Sequence, residues 1–476
     1  VTLALLVVLA YLAAITLFGS WLGRRRRSLQ DYFLAGRSVP WWAVAACIVA
    51  TETSTLTFIG VPGLAYAGDW TFLQLAFGYV LGRLLIGALL LPAYFGGRLF
   101  TSYELLQARF GGTVRCAAAG IFLLYRTLAD GIRLHAAALV LAVAAGGAGW
   151  EWVFVLLLGG AMILYTEQGG VSATIWTDAA QMLVYLAGAL VCVVALARAL
   201  PGGVGGALVQ AAAAGKLRVV DLSFDLGRPY TLWAGVLGGA FLTLATHGTD
   251  HYLVQRLLVA RSQRDASRGL ALSGLLVLGQ FALFLLLGTL LWAHYAGRPF
   301  ARVDEALPTF VTSELPQGWT GLILAAIVAA ALSPSLNSMA SATLRDFYLP
   351  YVRPAADERE QLRAGRIFTV GWGLCQIGVA LAARGIDSAL GEGLAVLGYA
   401  SGPTVGAFLL ATRTRTATSA GALVGMLAGL LASLCLGRLA PLLGFRGLAW
   451  TWSVAVGAVV TLAAGLAASR VASGRA

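Results

Sequence analysis

Residues 41–69, WWAVAACIVATETSTLTFIGVPGLAYAGD, decide how the chain is read. The stretch is apolar and long enough to cross a bilayer, for which about 20 apolar residues suffice. Near its middle stands a polar run, Thr51, Glu52, Thr53, Ser54 and Thr55, with Gly60, Pro62 and Gly63 just beyond. A helix in lipid must satisfy every backbone group internally, and irregular backbone at that depth survives only where it lines a cavity. The pattern predicts a helix that comes apart at the bilayer centre, its freed carbonyls and hydroxyls turned toward a small cation or polar solute. A passive anchor has no use for such a segment; a transporter does.

The rest of the chain supplies the same frame. Of 476 residues, 59% are hydrophobic and 11% charged, against roughly 25% charged in soluble domains. Thirteen apolar spans are read, near 2–22, 41–66, 71–95, 113–146, 151–167, 174–199, 230–249, 268–296, 317–343, 364–384, 388–411, 416–437 and 447–469. The expected class is an all-α polytopic membrane protein. Most of the 33 basic residues fall in alternate connections, among them Arg24–Arg27, Arg37, Arg109, Arg115, Arg256, Arg261, Arg353, Arg413 and Arg470. Positively charged loops stay in the cytoplasm, so the N-terminus is expected outside and the C-terminus inside. The net charge of +12 then reflects basic inner loops beside anionic lipid. Nucleic acid is a poor partner for arginines scattered over separate short loops. The five cysteines, Cys47, Cys116, Cys192, Cys375 and Cys435, lie in or beside apolar spans without paired spacing and are read as small packing residues.

Several stretches resemble one family. DYFLAGRSVPWWA, ATETSTLTFIGVPG and YELLQARFG, followed by GGVSATIWTDAAQ, TDHYLVQRLLVARSQRDASRG and LNSMASATLRDFY, are similar, in order and spacing, to the signatures of the sodium:solute symporters. The resemblance runs from about residue 30 to 410. It implies the LeuT-like inverted-repeat fold of the amino-acid/polyamine/cation superfamily. Two five-helix repeats would span 41–199 and 230–411, with one extra helix at 1–22 before them and two at 412–476 after. It also implies uptake of a small organic solute coupled to sodium entry by alternating access. The solute would be a sugar, amino acid, vitamin or carboxylate, with no cofactor beyond sodium itself.

The same resemblance places a cation site at the carbonyls of Ala50 and Thr53, hard oxygens that only an interrupted helix leaves free. Alternatively, the hydroxyls here simply bond back within a kinked helix. The family's partner segment carries two adjacent hydroxyls, but here the sequence reads AAIVAAALSPSLNSMASATLRDFY. Aligned backwards from LNS, those positions become Ala330 and Ala331; aligned forwards, they become Ser333 and Pro334. The forward alignment is favoured, because a three-residue deletion removes nearly one helical turn. Proline at 334 cannot donate to the Ala330 carbonyl, so that carbonyl and the Ser333 hydroxyl are expected to face the cation. The competing expectation is that protons, or the solute alone, drive transport. Asp178 matches a family aspartate near the inner route of the cation; a helix N-cap is the bland alternative.

An ionisable side chain at membrane depth is a functional hypothesis by default, which singles out Glu52. By resemblance that position is Asn in sugar-transporting relatives and acidic in proline-transporting ones. Glu52 is expected to lend charge to the cation, meet a substrate amine or carry a proton; a protonated acid tied to a neighbouring helix is the plain alternative. Thr51, Thr55 and Thr57 line the same break. Its counterpart in the second repeat is FLTLATHGTDHYLVQRLL, where Thr243, Thr246 and His247 interrupt an apolar span, and the solute is expected between the two. Arg126, Asp130 and Arg133, spaced by four and three, share one helix face. They form either a self-neutralising fastener or, with one arginine left over, a seat for a substrate carboxylate. Arg83 has no partner nameable from sequence. Four histidines without HExxH spacing argue against an intramembrane enzyme, and no repeated filter suggests a pore. A transport-incompetent membrane sensor is the remaining alternative.

Overall fold

Apolar runs of Leu, Ala and Gly fold as helices here because in lipid each backbone N–H must find its acceptor within its own segment. The computed structural model describes residues 2–23, 28–97, 99–300, 305–331, 335–383, 389–439 and 447–473. Among them the architecture is helical, with one isolated bridge between Val39 and Ala260. The helices that build the core are α1 (Thr2–Gly23), α2 (Trp41–Glu52), α3 (Thr55–Ala67), α4 (Leu73–Leu89), α5 (Gly112–Ala144) and α6 (Glu151–Ala199). Next comes α7, a helical run made of Ala234–Gly238, Gly239–Thr243 and Leu244–Thr249, followed by α8 (His251–Leu258), α9 (Gln263–His294) and α10 (Gln317–Ala331). The chain ends with α11 (Leu336–Ala342), α12 (Glu358–Ala382), α13 (Ala389–Arg413), α14 (Ser419–Leu434) and α15 (Ser453–Ser473).

Six helices among the described residues are long and apolar enough to cross a membrane on their own. The pair α2 and α3, bent by 64°, adds a seventh span. Other predicted spans are shorter or interrupted: 71–95 contains Leu73–Leu89, and 317–343 contains Gln317–Ala331 followed by Leu336–Ala342. The spans predicted at 151–167 and 174–199 are joined in α6, where Gly170 takes φ 58° and ψ −160°. Only glycine adopts that conformation without strain, and a Cβ there would meet the Tyr32 carbonyl at 2.5 Å.

Close approach of backbones sets the packing. Gly78 of α4 lies against Gly235 and Gly239 of α7, and Gly82 against Ala240 and Thr243; a Cβ on Gly78 would meet the Gly235 carbonyl at 2.3 Å. This is the small-residue spacing by which membrane helices pack when no hydrophobic effect drives them together. α9 packs against α2, α3 and α4, while α14 and α15 pair at the C-terminal end. Gly288 of α9 faces the turn at Pro62, where a Cβ would lie 2.0 Å from the Pro62 carbonyl oxygen. Gly288→Ala is therefore expected to destabilise the protein by about 1–3 kcal/mol or more, read as a lowered melting temperature in detergent. The cysteine reading needs correction: Cys47 and Cys192 are buried, but Cys375 and Cys435 are exposed, on helix faces that contribute nothing to the core.

Candidate functional site

The break opens where the polar run stops α2. Thr53, with φ −77° and ψ 115°, ends α2, and Ser54 caps α3, its hydroxyl accepting from the Thr57 N–H at 3.2 Å. The Ser54 N–H in turn points to the Thr57 hydroxyl at 3.4 Å. The two donors that a continuous helix would send to the carbonyls of Ala50 and Thr53 are thus used elsewhere, and the last carbonyls of α2 are freed. The Thr53 hydroxyl bonds back to the Val49 carbonyl at 2.8 Å and receives the Gln280 amide at 2.7 Å. The predicted hydroxyl-to-backbone bonds therefore coexist with a true interruption.

The second break lies elsewhere than expected. Residues 243–249 stay helical, closing with a π-helical turn over Leu244–Thr249, and Asp250 alone leaves the helix, with φ −69° and ψ 118°. Asp250 ends α7 and caps α8, accepting from the Tyr252 N–H at 2.9 Å. The widened turn is closed by the Asp250 N–H on the Ala245 carbonyl at 2.9 Å. The Tyr94 hydroxyl covers the Gly248 carbonyl and the Ser102 hydroxyl covers that of Thr249. The carbonyls of Ala245, Gly248 and Thr249 thus each already accept a hydrogen bond, so the two breaks are unequal.

Between them lies a chamber of about 180 Å3. The first break contributes Thr51, Glu52, Ser54 and Thr57, α5 contributes Arg126 and Arg133, and α7 contributes Leu242, Thr246 and His247. The aromatic rings of Phe72, Tyr79, Tyr230, Tyr252, Phe281 and Trp450 complete the wall. Glu52 is ion-paired with Arg83, which gives the arginine a partner that sequence reading did not supply. His247 Nε2 lies 3.7 Å from Glu52 and 3.4 Å from Arg83, and its Nδ1 meets the Thr246 hydroxyl at 2.8 Å. It faces the chamber rather than a stray carbonyl.

On the opposite wall, Asp250 changes the charge count of the α5 cluster. Arg126 is ion-paired with Asp250 and lies 3.6 Å from Asp130, so two arginines meet two aspartates and Arg126 is not left over. Arg133 is held more loosely. Its Nη1 is 3.9 Å from Asp130 and has no hydrogen-bond partner among the described residues. Asp130 is further engaged by the Ser335 hydroxyl.

Asp178 lies inside α6, not at its start, so it is no N-cap. Its carboxylate receives Arg256 at 3.2 Å, the Thr51 hydroxyl at 3.2 Å and the Cys47 thiol at 3.3 Å. Arg256, read from sequence as a loop cation, is 1% exposed and also donates to Thr51 at 2.8 Å. Thr243 faces α4 at Gly82 and does not line the chamber. Ser333 and Pro334, and the side chains of Ala330 and Thr55, lie outside what is described; the backbone of Ala330 closes α10. Sequence reading missed Asp250, although the polar TDH triplet that holds it stood at the end of an apolar span. It also missed the aromatic wall, which carries no local signal because its rings come from separate helices.

Two interrupted helices enclosing a polar chamber between them define a secondary transporter that binds its solute at mid-membrane. Residues 32–429 match the Sodium:solute symporter family, and the chain belongs to it. It is thus a multi-pass membrane protein working as a cation-coupled symporter of small solutes, not an enzyme. The sodium/sialic acid symporter of Proteus mirabilis is 27% identical over 96% of this chain and 94% of its own. The rabbit (Oryctolagus cuniculus) sodium-dependent multivitamin transporter is 29% identical over 90% of this chain and 69% of its own. A solved structure of a Na+-coupled sialic acid symporter, substrate-bound and outward-open, superposes with a TM-score of 0.88 at 26% identity, covering 98% of both chains.

Proposed function

We propose that this chain carries a small organic carboxylate into the cell together with sodium, the carboxylate meeting Arg133 in the chamber. The observation that supports this most is the unmet Arg133 Nη1 beside an arginine already committed to Asp250. A desolvated guanidinium gains most from a bidentate acceptor, and a carboxylate is the smallest solute group that supplies one. That a relative is named for sialic acid fits an acid as cargo.

Sodium is assigned to the freed carbonyls of Ala50 and Thr53, with the Ala330 carbonyl and Ser333 hydroxyl opposite. Asp178 lies beyond Thr51 on the route out. Thr51, Glu52, Thr55, Thr57, Thr246 and His247 shape the chamber, with Thr243 behind them. In the membrane we place thirteen spans, repeats at 41–199 and 230–411, and flanking helices at 1–22 and 412–476. The N-terminus lies outside and the C-terminus in the cytoplasm, as the basic loops require. In support, the α2/α3 and α7/α8 breaks each open one repeat.

A second reading, with protons or the solute alone driving transport, rests on Ala330, Ala331 and Pro334 standing where the family's hydroxyl pair belongs. Reconstituted vesicles given labelled small carboxylates separate the two. An inward sodium gradient is expected to raise initial uptake several-fold over potassium at constant pH. Uptake indifferent to sodium but driven by an inward proton gradient would favour the second reading, and no flux under any gradient would favour a sensor.

A further inference from the structure

Glu52 faces the chamber beside freed carbonyls and the hydroxyls of Ser54 and Thr57, a collection of hard oxygens of the kind that binds a bare cation. Yet the carboxylate already has a cation. The Arg83 guanidinium is ion-paired with it and is not among the described side chains that line the chamber. Arg83 is 1% exposed, and its place is built for it. Its Nε donates to the Ser273 hydroxyl at 3.1 Å. Its stem runs over Gly274, where a Cβ would lie 3.0 Å from Arg83 Cδ. The backbone of α4 is fixed at that height by the close contact of Gly78 and Gly82 with α7.

We propose that Arg83 is a tethered cation that permanently fills the place beside Glu52 which a mobile ion would otherwise take, so that the chain binds one sodium ion and not two. The inference rests on the sodium reading above. Glu52 cannot serve as sodium ligand and arginine partner at once, because the attraction that would recruit an ion falls steeply once the carboxylate is neutralised at contact distance. Removing the guanidinium leaves an acid among oxygen donors at membrane depth, a place where an unpaired charge is expensive and is relieved by a captured cation.

Equilibrium binding of sodium-22 to the purified full chain at fixed pH tests this. The wild type is expected to saturate at one ion per chain, Arg83→Gln at two, and Glu52→Gln/Arg83→Gln at one again. Two ions in the wild type, or no more ions in Arg83→Gln than in the wild type, overturns the proposal. The wild-type stoichiometry needs no variant, and the double variant removes both charges together, so a folding failure of Arg83→Gln alone leaves both checks standing. No ion in the wild type but one in Arg83→Gln would remove the sodium site at Ala50 and Thr53 while supporting the tethered cation. No ion in either would remove both.

Discussion

Arg256→Met is expected to abolish recovery of folded protein, or to lower its melting temperature more than any other single change named here. Asp178 is 0% exposed and Arg256 1%, so truncating one leaves the other as an uncompensated buried charge, at a cost of about 3–5 kcal/mol. The arginine does more than neutralise. It donates to Thr51 at 2.8 Å and to the Tyr252 carbonyl at 2.8 Å, and stacks 4.0 Å over the Tyr252 ring. It therefore fastens α2, α6 and α8 beside the chamber that Thr51 and Tyr252 line. Removing both charges, as Asp178→Asn/Arg256→Met, is expected to recover most of the loss, since replacing a buried pair outright is often close to neutral. Size-exclusion profiles and thermal unfolding in detergent decide the matter. A single variant as stable as the double would show that the pair carries no such strain.

Arg133→Gln is expected to leave folding nearly intact while weakening solute binding by roughly 10–100-fold, as losing a charge-assisted hydrogen bond implies. Arg126→Gln is expected to do the reverse, striking stability first because it strips Asp250 of its partner. The contrast is informative because both residues sit on the same face of α5 and line the same chamber. Uptake of a labelled carboxylate, set beside melting temperature for each variant, separates the two roles. Equal loss of binding in both, with equal stability, would contradict the assignment of Arg133.

The first break was legible because its cause is local: a polar run inside an apolar segment can be seen without a partner. The α2/α3 interruption falls at Thr53 and Ser54, within the run that announced it. The second was misplaced because Thr243, Thr246 and His247 look like interruptions, yet the Thr246 hydroxyl bonds back to the Leu242 carbonyl and the π-helical turn keeps the backbone bonded. The residue that leaves the helix is Asp250, whose reason for being there, Arg126 of α5, stands 124 residues away. The same distance problem hid the partners of Arg83 and Arg256. Each is an arginine whose meaning depends on an acid from another helix, and spacing along one helix carries no information about that. The triad of α5 sets two arginines against one aspartate, and it is neutralised only by a fourth member from another helix, Asp250.

The enclosed chamber itself is tested by thiol accessibility. In a background with the five native cysteines replaced, single cysteines at Thr57 and Thr246 would be challenged with a membrane-impermeant reagent from either face, with and without sodium. Alternating access predicts that both positions react from outside in sodium and from the cytoplasmic side without it, each protected by a transported carboxylate. Labelling from neither face under any condition, or from one face regardless of sodium, would contradict a solute chamber between the two broken helices.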